Sequence, residues 1–323
     1  MKRALVTGAT GFVGANLARR LLSEGHELHV LARPDHTSWR IEEIRGDVRM
    51  HTVSIEDVEG VERAVRSIRP DWVFHLAAYG GYSWQNDLWQ MVRTNIHGTA
   101  ALLSACLATG FEAFVNTSSS SEYGFKDYAP AETEALDPNS SYAVTKASAT
   151  MFCRQAAVSR RVHLPTLRLY SVFGPYEDPG RLLPTLLMHG ARGTLPPLVA
   201  PEVARDFVYI DDVCDAYLLA ARTPTDEWGP VYNVGTGVQS TVRNAVEIAR
   251  QSMVIAVEPS WGSIANYAWD ATIWVSDNRK IRAALGWQPR HTFEEGFLRM
   301  LEWFRTARPD CYHLEPQRER GDA

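Results

Sequence analysis

Cysteine is scarce, long apolar runs are missing, and neither sign of charge dominates. Cys106, Cys153, Cys214 and Cys311 are scattered over 323 residues with no close pair, which excludes the spacing of a zinc site and the dense framework of a small secreted domain. They are expected to be reduced thiols in a cytoplasmic protein. No stretch approaches the roughly 18 apolar residues of a membrane helix. The apolar segment after Met1-Lys2-Arg3 breaks at Thr7-Gly8, too early for the core of a secretion signal. The 33 basic and 38 acidic residues are interspersed, so no basic stripe offers a footprint for nucleic acid. Internal repeats and low-complexity segments are missing too.

What is there is an ordinary globular composition, 45% hydrophobic and 22% charged, long enough to bury a full core. Short apolar segments alternate with amphipathic helical ones, the pattern of a parallel sheet covered on both faces. Strands are expected at Arg3–Thr7, Glu27–Ala32, Arg49–Val53, Asp71–Ala77, Ala113–Ser118 and Leu164–Leu169, with a helix at Phe12–Ser23. After Ser171 the chain turns Pro/Gly-rich and aromatic. Phe207–Ile210 and Val231–Val234 then read as returns to the sheet.

The first strand runs straight into Gly8-Ala9-Thr10-Gly11-Phe12-Val13-Gly14 and then into a helix. So tight a turn needs backbone angles or approaches that a Cβ obstructs, and the free N–H groups of the helix start suit a pyrophosphate. Together with Tyr142-Ala143-Val144-Thr145-Lys146, this spacing resembles the short-chain dehydrogenase/reductase superfamily. Further motifs narrow the resemblance to its extended branch, the nucleotide-sugar epimerases, dehydratases and 4-ketoreductases. They are Asp47-Val48, Leu76-Ala77-Ala78, Asn95 to Thr99, Ser119 to Gly124, Arg205 to Val213 and Asn233 to Gly237.

The resemblance implies an α/β fold, a Rossmann-type doubly wound parallel sheet with a smaller, interleaved C-terminal substrate domain. The expected division is 1–170 for the dinucleotide, with returning segments near 206–236, then 171–205 and 237–305 for the nucleotide sugar, and a polar tail at 306–323. It also implies a cofactor site made by Gly8, Thr10, Gly11, Phe12, Val13, Gly14, Arg33, Asp47, Val48, Leu76, Ala77 and Ala78, with Tyr142 and Lys146.

Tyr142 and Lys146 are four apart on a segment that reads as helix from Ser141, so they share a face. A phenol titrates near 10, and a neighbouring ammonium favours its anion. By resemblance Lys146 holds the cofactor ribose, and Tyr142 exchanges a proton with the sugar hydroxyl. The hydroxyl partner falls four residues before Tyr123-Gly124, at Ser119, in a run, Thr117 to Ser121, that leaves its register open by one.

Three reactions share such a site: epimerisation, reduction of a keto sugar, and dehydration. Relatives that dehydrate carry an added acid and base directly after the catalytic hydroxyl, where this chain has Ser120 and Ser121. Glu122 comes one residue later and faces away if the segment is extended. An epimerase or 4-ketoreductase acting at C4 is therefore expected. The alternatives are a 4,6-dehydratase and a non-catalytic dinucleotide-binding sensor, the latter opposed by Tyr142 and Lys146.

For the nucleotide sugar the resemblance points to Ser119, Ser120, Arg205 and Arg181, arginine's fork suiting a diphosphate. Two departures leave base and sugar open: Ser171 replaces the usual Asn, and Asn266-Tyr267-Ala268-Trp269-Asp270 stands where relatives often have Arg-Pro-Gly-acid. NADP is favoured over NAD. The second strand ends in Ala32 instead of an acid, and Arg33, with Arg40 assisting, offers a guanidinium to a 2′-phosphate. A homodimer is expected through Val92–Thr109 and Tyr142–Ser159, whose Ala100, Ala101, Ala105, Ala147, Ala149, Ala156 and Ala157 allow close approach.

Overall fold

A computed structural model describes residues 1–37, 39–267, 270–307 and 312. Strands β1 (Arg3–Thr7), β2 (Glu27–Ala32), β3 (Arg49–Thr52), β4 (Trp72–His75), β5 (Ala113–Ser119) and β6 (Thr166–Leu169) come first. The short strands β7 (Ser171–Phe173), β8 (Ala204–Arg205) and β9 (Phe207–Tyr209) follow, then β10 (Val231–Val234) and β11 (Ser240–Thr241). Seven of them form one parallel sheet in the order β10-β6-β5-β4-β1-β2-β3. The order reverses between β1 and β4, which opens a crevice beyond their carboxyl ends, at Thr7 and His75.

Alternation across the pleat gives each face its own core. Ala4, Val6, Phe74 and Val115 pack on one side beneath α1 (Phe12–Ser23) and the later helices. Leu5, Val73 and Phe114 pack on the other beneath α2 (Val58–Ile68) and its neighbours. Burying each such side chain is worth roughly 1.5–3 kcal/mol, so the β1 and β4 ends are held from both sides. The doubly wound sheet expected from the sequence is present, with β1, β2 and α1 at their expected bounds.

Phe207–Ile210 does not return to this sheet. Its strand portion pairs with Ser171–Phe173 in a separate two-stranded sheet, and Ile210 already begins a helix. Val231–Val234 does return, beside β6. The expected tail is helical to Ala307, and Tyr312 is buried against Trp39, Trp303 and Phe304; the other residues beyond Ala307 lie outside the described residues.

Candidate active site

The glycine turn is a cradle without room for side chains. Gly8 has φ +75°, and a Cβ there would lie 2.7 Å from the backbone of Leu76 and Ala77. A Cβ on Gly14 would lie 2.2 Å from the Gly8 carbonyl. The Gly11 amide donates to the Gly8 carbonyl at 3.0 Å, and α1 starts at Phe12 with no side chain capping it. Its first N–H groups thus face the crevice at the positive end of the helix. Thr10, Phe12, Val13, Leu76 and Ala77 border the same turn, partly exposed, with Ala78 beyond them. The backbone is shaped to receive a diphosphate, which fits a nicotinamide dinucleotide.

Behind this cradle runs a row of fixed polar contacts. The Thr7 hydroxyl meets His75 Nδ1 at 2.7 Å, and His75 Nε2 meets the Thr99 hydroxyl at 2.8 Å. Burial, helped by the Lys146 charge, lowers His75 to about 3, so the ring is neutral. Asn95 lies in a π-helical turn, Val92–Gly98. It accepts from the Tyr79 amide and donates to the Tyr79 carbonyl, both at 2.8 Å, and donates to the Thr145 hydroxyl at 2.9 Å. The Asn95 to Thr99 motif thus binds the chain after β4 to the helix that carries Tyr142.

That helix, Ser141–Arg160, starts where the Ser140 side chain accepts the Ala143 amide at 3.2 Å, a cap worth about 1 kcal/mol. Tyr142 and Lys146 share its inward face, Tyr142 half-buried and Lys146 only 2% exposed. Ser119, ending β5, lies beside the Tyr142 phenol and receives the Ser121 hydroxyl at 2.8 Å. Burial pushes that phenol up to about 12, while the Arg181 charge and the nearby Ser119 hydroxyl pull against it. Burial draws the Lys146 ammonium down to about 8, opposed by Glu122. Ser119, at the carboxyl end of β5, thus lies beside Tyr142, which shares its helix face with Lys146.

Glu122 lies in a 3-10 turn, Ser120–Tyr123, so the alternation expected of an extended segment does not apply to it. It is fully buried and receives the Thr150 hydroxyl at 2.6 Å and Arg168 Nε at 2.7 Å. Ser120 is buried beside a cleft of about 230 Å³ that Tyr123, Tyr128, Tyr170 and Trp274 also line.

The arginines already have partners. Arg205 donates to Asp270 at 2.6 Å and to the Ala204 carbonyl at 2.7 Å, and lies near the Trp274 ring. Arg181 donates to the Gly81 carbonyl at 2.7 Å and lies over Tyr82, which stacks on Trp84. The rest of the Arg205 to Val213 motif is structural. Buried Asp206 receives the Thr236 amide at 2.7 Å and the Ser276 amide at 2.9 Å, and Asp212 receives His291 Nδ1 at 3.0 Å. Ala268 and Trp269, in the departing stretch, lie outside the described residues.

Three expectations need correcting. Asp47 and Val48 precede β3, at its amino end, whereas the crevice gathers carboxyl ends; Val53, whose amide donates to the Ala32 carbonyl at 2.9 Å, stands there instead. The pair was taken from the motif resemblance, although the strand expected at Arg49–Val53 follows it. Arg40 is already engaged beside the glycine turn: its guanidinium donates to the Tyr176 carbonyl at 2.8 Å and to the Thr10 carbonyl at 3.5 Å, and faces Asp178. Exposed Arg33 is left beside Asp35, 3.7 Å away. The alanines Ala101, Ala105, Ala147, Ala149, Ala156 and Ala157 are already buried within the chain; the same long helix instead exposes Val144, Met151, Phe152 and Val158.

Sequence reasoning missed the Ser121 contact to Ser119, the Arg205–Asp270 pair and the Arg181–Tyr82–Trp84 stack. The first lay within the serine run; the other two join segments far apart in sequence and left no local signal.

The family profile described as NAD dependent epimerase/dehydratase family matches residues 4–235. A dTDP-glucose 4,6-dehydratase of Streptomyces griseus is 30% identical over 324 residues, covering 94% of both chains. A trifunctional UDP-glucose 4,6-dehydratase/UDP-4-keto-6-deoxy-D-glucose 3,5-epimerase/UDP-4-keto-L-rhamnose-reductase of Arabidopsis thaliana is 27% identical over 96% of this chain, which spans only 48% of that protein's length. Among solved structures, a Thermus thermophilus UDP-glucose 4-epimerase in complex with NAD superposes with a TM-score of 0.84 at 30% identity, over 94% of this chain and 99% of the other.

Proposed function

The chain belongs to the NAD dependent epimerase/dehydratase family, and from that premise we propose that it is a nucleotide-sugar 4-epimerase or 4-ketoreductase working through Ser119, Tyr142 and Lys146. The observation that carries the reading is that Tyr142 and the buried Lys146 stand one turn apart on the same helix, with Ser119 beside the phenol. Gly8, Gly11 and Gly14 would hold the diphosphate of a nicotinamide dinucleotide, and Lys146 its ribose. When bound, the dinucleotide supplies the hydride acceptor or donor.

The remaining work belongs to the chain's own groups. Ser119 fixes the sugar oxygen, Tyr142 takes or returns its proton, and the positive charge of Lys146 favours the phenolate through which that proton passes. Ser120 and Ser121 carry no carboxyl at the positions where an acid and base for elimination are expected, which supports epimerase or reductase over the 4,6-dehydratase of several relatives. Arg205 and Arg181 are the diphosphate ligands of this reading, and Ser120 borders the sugar. The division into a dinucleotide part, 1–170 with 206–236, and a nucleotide-sugar part, 171–205 with 237–305, follows the same assignment.

The dinucleotide is read as NADP, carried by Ala32 and Arg33 without Arg40. The solved epimerase relative holds NAD, so NAD selection is the competing outcome. The exposed row Val144, Met151, Phe152 and Val158, with Leu88 and Trp89 nearby in sequence to the π-helical turn, supports a homodimer. Among the described residues no helix is long and apolar enough to cross a membrane, and the enzyme is read as cytoplasmic.

Supplied with a 4-keto nucleotide sugar, a reductase consumes reduced dinucleotide mole for mole. Supplied with a nucleotide hexose, an epimerase yields the 4-epimer with no net change of cofactor. Stoichiometric loss of water from the hexose would overturn the reading in favour of the dehydratase.

A further inference from the structure

We propose that Glu122 is a positioning residue of this site, its buried carboxylate binding the strand that carries Ser119 to the helix that carries Tyr142 and Lys146, and setting a negative charge against the buried cations Lys146 and Arg168. The inference rests on the catalytic reading of those residues.

The geometry is that of a tether. Glu122 receives the hydroxyl of Ser118, the neighbour of Ser119 on β5. It also receives the Thr150 hydroxyl at 2.6 Å, from the turn of helix directly after Lys146. Its third partner is Arg168 on β6, at 2.7 Å. Arg168 in turn donates to the Tyr123 hydroxyl at 2.7 Å, and Tyr123 donates to Asn233 at 2.8 Å, which ties β10 into the same network. Three elements of the site thus converge on one carboxylate. Extended serine and helical tyrosine are held in register by bonds that neither makes itself.

The charges make a second argument. A buried ion pair adds little net stability over apolar packing, so its presence here calls for another role. The groups facing Lys146 are Glu122 from the turn after β5, His75 from β4 and Cys153 from its own helix, with Arg168 behind Glu122 and Tyr142 one turn before Lys146. Burial keeps His75 neutral and pushes the Cys153 thiol up to about 12 and the Tyr142 phenol to about 12. The carboxyl among these groups is Glu122, which opposes the effect of burial on Lys146. Without it, burial would act with less opposition on the ammonium that the ribose and the phenolate need.

Lysine NMR tests this without turnover. The chain has four lysines, Lys2, Lys126, Lys146 and Lys280, so protein labelled with ¹³C at lysine Cε gives few signals, and Lys146→Arg assigns the one of interest. In Glu122→Gln the Lys146 midpoint should fall by about one pH unit or more. Arg168→Met removes the cation behind the carboxylate and should raise it, which provides the test if Glu122→Gln does not fold. Thr150→Val keeps the charges and loosens the tether, so kcat should fall about tenfold, the range of one lost hydrogen bond, with KM and the Lys146 midpoint unchanged. A midpoint that stays put in the folded charge variants, or a kcat that Thr150→Val leaves alone, overturns the proposal. The titration reads the same whether or not the chain turns over a sugar nucleotide, so failure of the charge argument is distinct from failure of the catalytic reading.

Discussion

The two sides of the crevice are built differently. On the side proposed for the dinucleotide the recognising groups are backbone: the amides of the glycine turn, the start of α1, and the ends of β1 and β4 pinned by Thr7, His75 and Thr99. On the side proposed for the nucleotide sugar they are side chains, and those chains are already engaged, Arg205 with Asp270 and Arg181 with Gly81. A backbone site is formed before its ligand arrives. A site of engaged arginines must exchange a carboxylate or carbonyl for a diphosphate, and the exchange reduces the net gain from each contact.

The comparison can be broken first at Gly14. Gly14→Ala would force a Cβ to within 2.2 Å of the Gly8 carbonyl, so the cradle must open. Dinucleotide affinity measured by fluorescence titration should fall about 100-fold or more, the effect of a displacement near 1 Å. Gly11→Ala, whose Cβ would stand 3.2 Å from the same oxygen, should cost less. Equal, small losses in both would mean that the turn is soft and the contrast false.

On the other side the effects should be smaller and of both signs. Arg205→Ala should weaken binding of a nucleoside diphosphate by about 10- to 100-fold, the range of one charge-assisted contact. Asp270→Asn, which frees Arg205, should strengthen binding several-fold, as expected when a competing carboxylate is removed. Calorimetry on both variants reads the two signs directly. A loss of affinity in Asp270→Asn would show that the acid helps to hold the ligand instead of competing for the arginine.

The smallest effect is expected where the dinucleotide side itself relies on side chains. Ala32→Asp combined with Arg33→Asn should shift the ratio of NADP to NAD affinity towards NAD by about tenfold, one charge-assisted contact. The neighbouring Asp35, 3.7 Å from Arg33, keeps the expected shift modest. A ratio that does not move would show that this strand end does not choose the cofactor.

The same contrast explains what was legible in the sequence. The glycine turn, the strand that feeds it and the Tyr142–Lys146 helix are local features, and local spacing determines them; the doubly wound parallel sheet followed from the same alternation of elements. Ser119 was reachable by counting back from Tyr123-Gly124. Asp47-Val48 was assigned to the cofactor by a matching motif, although it precedes β3 and so stands at its amino end. What else escaped was non-local. Phe207–Tyr209 was assigned to the main sheet because its partner, Ser171–Phe173, cannot be inferred from its own composition. Arg40 was offered to the cofactor because its true partner, the carbonyl of Tyr176, lies far along the chain.

The central claim is that Tyr142, set by Ser119 and Lys146, moves the proton while the glycine cradle binds the dinucleotide independently. Tyr142→Phe tests it most directly, with turnover of the nucleotide sugar and dinucleotide affinity measured on the same preparation. The account predicts that kcat falls by about 10²- to 10⁴-fold, the usual worth of a general acid/base, while dinucleotide Kd stays within a few-fold of the wild type. Undiminished turnover with the dinucleotide still bound would contradict it.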